Sequence, residues 1–376
     1  MTRLRIDRNS AQRRVVSDDV VNTSPAHRPA VYDRLGDGEK RTAREASGMT
    51  NDDPARPRTR RLRRSDPNGP GLLRVPGDPP RYTDARGRRI VDERQLERIL
   101  ALAIPPAWSD VWICSDERGH IQAVGVDDAG RRQYLYHEQW RAQRDAVKFE
   151  RVLLLARALP HARRTVTHDL KSDGFGFDRA LAAAFRVIDR VSLRIGSEEY
   201  RRRYGSRGLT TMLCRDVTVD GDMVLLSFPS KSGQRWESAV TDAGLARYLD
   251  EITRARRPGS RAISWRDSTW HALTTAEVND DIRRRTGVDA TAKDFRTLRG
   301  SVVAASTLAR IGSPETKREK DAAVRAAIAA TADALGNTPA VARASYIDPR
   351  VFDRYRSGEL LALGCAPEAA LCALLE

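Results

Sequence analysis

The sequence is short of several things, and each shortage removes a class of explanation. Its four cysteines, Cys114, Cys214, Cys365 and Cys372, form no CxxC pair and show no Cys/His spacing suited to a metal. They read as reduced thiols of a cytosolic protein. No apolar run approaches the ~20 residues that span a bilayer. The opening residues, MTRLRIDRNS, contain no hydrophobic signal core, which argues against export. There is no GxxxxGK[ST] loop, and GFGFDR around Gly174 lacks the third glycine of a dinucleotide fingerprint, so ATP is not indicated. Lysine is scarce: the whole set is Lys40, Lys148, Lys171, Lys231, Lys293, Lys317 and Lys320.

What the chain has instead is arginine. Its formal net charge is +15 and its pI is about 10.2. Such a surplus steers and holds polyphosphate, so the expected partner is an anionic polymer. A membrane surface would attract it too, but no basic amphipathic helix rich in Trp and Leu is present.

Residues 1–66 are rich in Arg, Asp, Pro, Ser and Gly and read as a disordered tail ending in the basic run RPRTRRLRR. Residues 67–160 read as a small β-rich domain. PPRYTDARGRRIV suggests strand, turn, strand, and ERQLERILALAI a helix. DVWICSD, HIQAVGVDD and RRQYLYH then suggest three strands separated by glycine turns. The helix HEQWRAQRDAVKFERVLLLARAL closes that domain, and the polar stretch from Pro160 to Asp173 reads as a linker. Residues 161–376 are mainly helical, interrupted by CRDVTVDGDMVLLSFPSKSGQRWESAV, which alternates like a β-hairpin system with a turn at Lys231-Ser232-Gly233. The fold class is therefore α+β, a small β-rich domain followed by a larger, mainly helical one.

Four segments of the second domain carry candidate chemistry. SLRIGSEEYRRRYGSRGLTTM places Arg194 at a helix end, SFPSKSGQRW places Lys231 at a hairpin tip, and KDFRTLRGS offers Asp294 as an N-cap with Arg296 in the first turn. LGNTPAVARASY reads as a turn at Gly336-Asn337, a cap at Thr338, Pro339 at the first helical position, and Tyr346 two turns on. Breaking a phosphodiester without metal needs such groups. Guanidinium ions give paired, permanently charged hydrogen bonds to the equatorial oxygens of a pentacoordinate phosphorus. A tyrosyl oxygen can conserve the bond energy in a covalent ester. The departing sugar oxygen needs a proton, which lysine (pKa ~10.4) releases more readily than arginine. Taken singly, each of these residues would pass for a surface or packing residue.

In this order, with GLLRV, YTDARGRRI, IPPAWSDVWIC, GHIQAVGVD, RRQYLYH, LRIGSEEY, GLTTM, SKSG, DFRTLRG and LGNTPAVARASYIDP, the chain resembles a bacterial type IB DNA topoisomerase of the poxvirus-like branch. The resemblance runs from about Gly71 to Arg356. It implies relaxation of supercoiled double-stranded DNA, with no cofactor, neither ATP nor metal, by a nucleoid-associated monomer that clamps the duplex. By the same resemblance Tyr346 attacks the scissile phosphate to form a 3′-phosphotyrosyl link. Arg194, Arg296 and Asn337 stabilise the transition state, and Lys231 protonates the 5′ oxygen. Asn337 stands where the poxvirus and eukaryotic branches have histidine. Leu298 and Ser301 replace commoner Trp and Thr, changes expected to matter only for packing. The rival readings are a tyrosine recombinase, disfavoured because Lys293 rather than histidine precedes Arg296 by three, and a DNA-binding relative without turnover.

Overall fold

The computed structural model describes residues 61–230 and 233–376. Most of the N-terminal tail, together with Lys231 and Ser232, lies outside the described residues. The chain divides into two compact units, one ending at Asp145 and the other running from Ala146 to Glu376. The α+β class expected from the sequence is the observed one. Among the described residues no helix is long and apolar enough to cross a membrane.

The smaller unit is an antiparallel sheet of β1 (Leu72–Val75), β2 (Arg81–Thr83), β3 (Ser109–Ile113), β4 (Ile121–Val126) and β5 (Arg132–Tyr136), in the order β2-β1-β3-β4-β5. Helix α1 (Glu93–Ala101) starts where Asp92 accepts a hydrogen bond from the Gln95 N–H, and it buries Ile99. Ile99 joins Leu72, Tyr82, Trp108, Val111, Ile113 and Ala123 in one apolar cluster. The strand expected after Arg86-Gly87 shrinks to a single bridge, Thr83 to Arg89. The reason is local: the Asp84 carboxylate accepts from the N–H groups of Arg86 and Arg88 and from the Arg88 side chain, and so curls the chain there.

Helix α2 (Glu138–Leu170) runs for 33 residues and corrects the sequence reading, because the stretch from Pro160 to Leu170 taken for a linker is its last part. A proline in mid-helix costs about 3 kcal/mol. Here Pro160 faces solvent, while Val152, Leu155, Leu159, Ala162, Val166 and Leu170 continue one buried stripe across it. Burial of each Val and Leu among them returns roughly 1.5–3 kcal/mol, enough to hold the helix together.

The larger unit is built on α3 (Phe177–Val191), in which every residue from Arg179 to Ile188 is buried. Its alanines let neighbouring elements approach closely. The two buried arginines are paired, Arg179 with Glu251 and Arg186 with Asp242 and Thr167, as charges away from water require. After α4 (Glu198–Tyr204) comes the sheet predicted by the alternating pattern, β6 (Val217–Asp220), β7 (Met223–Pro229) and β8 (Arg235–Thr241), paired antiparallel in sequence order. Next are α5 (Ala243–Ala255), the hairpin of β9 (Ser264–Arg266) and β10 (Trp270–Ala272), and α6 (Thr275–Thr286). The chain ends with α7 (Ala292–Ile311), α8 (Lys317–Leu335), α9 (Pro339–Tyr346), α10 (Pro349–Arg356) and α11 (Pro367–Leu375). Helix α7 packs against α8, α9, α10 and α11 and carries Arg296 on its buried side.

Candidate active site

The site assembles from three stretches of the larger unit. The first follows α3. That helix ends at Val191 with Ser192 in the left-handed region (φ 54°), so Arg194 lies beyond the helix and not at its end as the sequence suggested. Its backbone is pinned instead by the turn at Gly208: the Leu209 N–H donates to the Arg194 carbonyl at 2.9 Å, and the Thr210 N–H to that of Ile195 at 2.9 Å. A side chain at Gly208 would be impossible, since a Cβ there would stand 2.5 Å from the Arg194 carbonyl oxygen.

The second stretch opens α7. Asp294 is not its N-cap; the helix begins at Ala292, and the Asp294 carboxylate accepts from the N–H and hydroxyl of Thr291 at 2.8 and 2.9 Å. The same carboxylate takes a hydrogen bond from Arg151 of α2 at 2.7 Å. Arg296 follows in the second turn, 2% exposed. Its Nη1 donates to the Ser192 carbonyl and its Nη2 to the Leu335 carbonyl, each at 2.7 Å. Those acceptors lie two residues before Arg194 and two before Asn337, so one guanidinium ties together the chain segments that carry both.

The third stretch is the one that reads most directly from the sequence. Helix α8 ends on Gly336 in the left-handed region (φ 58°), where the Asn337 N–H returns to the Ala332 carbonyl at 2.9 Å. Thr338 caps α9 by accepting from the Val341 N–H, Pro339 occupies the first turn, and Tyr346 is the last helical residue. Pro349 does stop continuation, but as the first residue of α10, capped by Asp348.

Arg194, Arg296, Asn337 and Tyr346 therefore converge. Arg194 Nη2 donates to Asn337 Oδ1 at 2.6 Å. The half-buried Tyr346 ring lies with its centroid 5.1 Å from Arg296 Cζ. Among the described residues, two buried donors, Arg296 Nε and Asn337 Nδ2, meet no acceptor in hydrogen-bond geometry. Buried donors are nearly always paired, and an unmatched amide N–H with an unmatched guanidinium N–H, beside the second guanidinium of Arg194, is the chemistry of an anion site. Burial pushes the phenol of Tyr346 up, but the charge and hydrogen-bonding of Arg296, followed by the charges of Arg194 and Lys293, outweigh it and hold the group below the ordinary phenol value. Burial and the neighbouring Arg194 pull Arg296 down to about 10, which leaves it cationic at neutral pH. Lys231 lies outside the described residues, which resume beyond it at Gly233, just before β8.

Sequence reasoning missed three contributors. The carbonyls of Ser192 and Leu335 leave no mark in side-chain identity, so nothing in the sequence marked them as acceptors. Ser301, read as a packing substitution, has its hydroxyl on the main chain that carries Tyr346, accepting from the Asp348 N–H at 2.9 Å.

Residues 137–357 match the family model described as eukaryotic DNA topoisomerase I, catalytic core, and residues 81–127 match bacterial DNA topoisomerase IB, N-terminal domain. The chain is also 26% identical over 277 residues to a DNA topoisomerase 1B of Acanthamoeba polyphaga mimivirus, an alignment covering 71% of this chain and 82% of that protein.

Proposed function

The chain belongs to the type IB DNA topoisomerase family, and from that membership and the geometry of the site we propose how its side chains divide the reaction. The activity is that of a type I topoisomerase, and DNA is the partner. The phenol of Tyr346 gives up its proton to solvent as its oxygen attacks the scissile phosphorus, the bond to the 5′ oxygen breaks, and the 3′ phosphate stays on the tyrosine. Arg194, Arg296 through its unpaired Nε, and Asn337 through its unpaired Nδ2 stabilise the charge that builds on the equatorial oxygens. Lys231 gives the leaving 5′ oxygen its proton. The freed strand swivels, and its 5′ hydroxyl then attacks the phosphotyrosine and restores the tyrosine. No high-energy cofactor enters, since the covalent link conserves the energy of the bond broken. The protein acts as a monomer that clamps duplex DNA, without metal or ATP, in association with the nucleoid.

The observation that supports this division best is the placement of the Tyr346 ring against Arg296 beside two unmatched buried donors. It also refines the role of Asn337. The amide uses its oxygen to hold Arg194 and keeps its N–H for the substrate, so a neutral side chain serves both neighbours at once. The test is supercoiled plasmid with EDTA and no ATP. The wild type should yield relaxed topoisomers and a covalent complex trapped by denaturant. Tyr346→Phe should yield neither while binding duplex as tightly; relaxation by that variant would exclude Tyr346 as nucleophile. Relaxation that stops on adding EDTA would exclude the metal-free course.

A further inference from the structure

Tyr346 is the last residue of α9, and the chain turns extended at Ile347. Carbonyls at a helix C-terminus have no partner within the helix, so the geometry of such a residue must be fixed from outside. The partner here is α7. Gly300 lies one turn beyond Arg296, on the same side of that helix. A Cβ at Gly300 would sit 2.4 Å from the Tyr346 carbonyl oxygen and 3.0 Å from the Tyr346 Cβ, so the nucleophile's main chain rests directly on the helix backbone. The next residue, Ser301, is 1% exposed; its Oγ accepts from the Asp348 N–H at 2.9 Å and donates toward the Tyr346 carbonyl at 3.5 Å. From the other side, Thr331 of α8 donates to the Gly300 carbonyl at 3.3 Å.

We propose that Gly300 and Ser301 are positioning residues for the cleavage reaction: they seat the Tyr346 main chain on α7 so that its phenol is held against Arg296. The seat and the guanidinium stand one turn apart on a single helix. The spacing between nucleophile and cation is thereby set by one rigid element, even though the two residues lie in separate stretches of sequence. The inference rests on Tyr346 being the nucleophile and extends that reading to what orients it. It also gives the hydroxyl at position 301 a task that Ser and Thr can both perform and Ala or Val cannot.

The test uses the full chain, single-turnover cleavage of a prebound duplex across a pH series, duplex affinity and Tm. Ser301→Ala and Ser301→Val should slow cleavage about 10- to 100-fold, the range expected when a reacting group is misplaced by about 1 Å. Affinity should stay within twofold. Ser301→Thr, which restores the hydroxyl, should cleave at the wild-type rate. As the phenol moves from Arg296, the rising limb of the pH–rate profile should shift to higher pH in the slow variants and not in Ser301→Thr. Gly300→Ala should slow cleavage comparably, although alanine is the better helix former. The proposal is overturned if Ser301→Val cleaves like the wild type. It is equally overturned if the slow variants keep an unmoved pH profile while losing Tm, or if Ser301→Thr fails to restore the rate. Tyr346→Phe runs beside them: cleavage by that variant defeats the nucleophile assignment itself, whereas its inactivity with normal Ser301 variants defeats only the seat.

Discussion

Arg296 commits its two terminal nitrogens to main-chain carbonyls, while its Nε meets no acceptor among the described residues. A lysine at that position has a single compact ammonium group and cannot span both acceptors. Arg296→Lys should therefore fail twice. Cleavage should fall by 100-fold or more, about 2.7 kcal/mol of transition-state stabilisation. At least one of the Ser192 and Leu335 carbonyls would lose its donor, at roughly 1–3 kcal/mol of stability, which thermal unfolding would register. A variant that cleaves slowly but melts unchanged would show that the two carbonyl contacts matter little. Lys293 offers a gentler probe because it is exposed and its charge helps hold the phenol of Tyr346 down, after Arg296 and Arg194 and against the opposing effect of burial. Removing a cation near an acid raises the acid's pKa. In Lys293→Gln the rising limb of the cleavage rate, below the ordinary phenol value of ~10 in the wild type, should move to higher pH with Tm unchanged. A limb that stays in place would remove Lys293 from the electrostatics of the site. Arg194, Arg296 and Tyr346 stood out in the sequence because the chemistry expected there calls for their types, whereas Lys293 did not. The backbone acceptors were not, since any residue carries a carbonyl.

Among the elements, α9 was the most legible, and it is where local signals agree. Gly336 takes the left-handed turn, Thr338 caps, and Pro339 accepts the loss of an N–H, all within four residues. Because α9 has only eight residues, one cap is a large share of its stability. Thr338→Ala should cost about 1 kcal/mol and, by fraying the helix that carries Tyr346, slow single-turnover cleavage. Thr338→Ser should restore both readings; equal losses in Ser and Ala would mean that the methyl group, and not the cap, holds the turn. Two other elements misled because local and tertiary signals conflict. Asp294 has the chemistry of an N-cap, but Thr291 three residues earlier, with Arg151 drawing the same carboxylate toward α2, sets the start of α7. Pro160 is a strong local breaker, and only the burial of the stripe on both sides of it, invisible until the neighbours are in place, carries α2 through.

At the scale of the whole molecule, the shift from alternating to helical periodicity announced a β-rich part followed by a helical one, since each period reports which face is buried. The convergence of Arg194, Arg296, Asn337 and Tyr346 was not a local property. It depends on α3, α7 and α8 meeting at one end, with sequence separations of about 40 to 140 residues across the guanidinium contacts, and periodicity says nothing about which helices meet. Only the joint order of the motifs suggested it. Charge is the remaining global feature. A net +15 on a DNA-acting chain means that binding releases counterions from many phosphates at once. With 6–10 phosphates neutralised, affinity for a short duplex should fall by about 10³- to 10⁵-fold between roughly 50 and 200 mM salt. The measurement is best made on Tyr346→Phe, so that covalent capture does not distort the equilibrium, by titrating a labelled duplex at several salt concentrations. A steep linear fall of log K with log salt is expected. A flat line would mean that few phosphates are engaged and that the arginine surplus serves something other than holding the duplex.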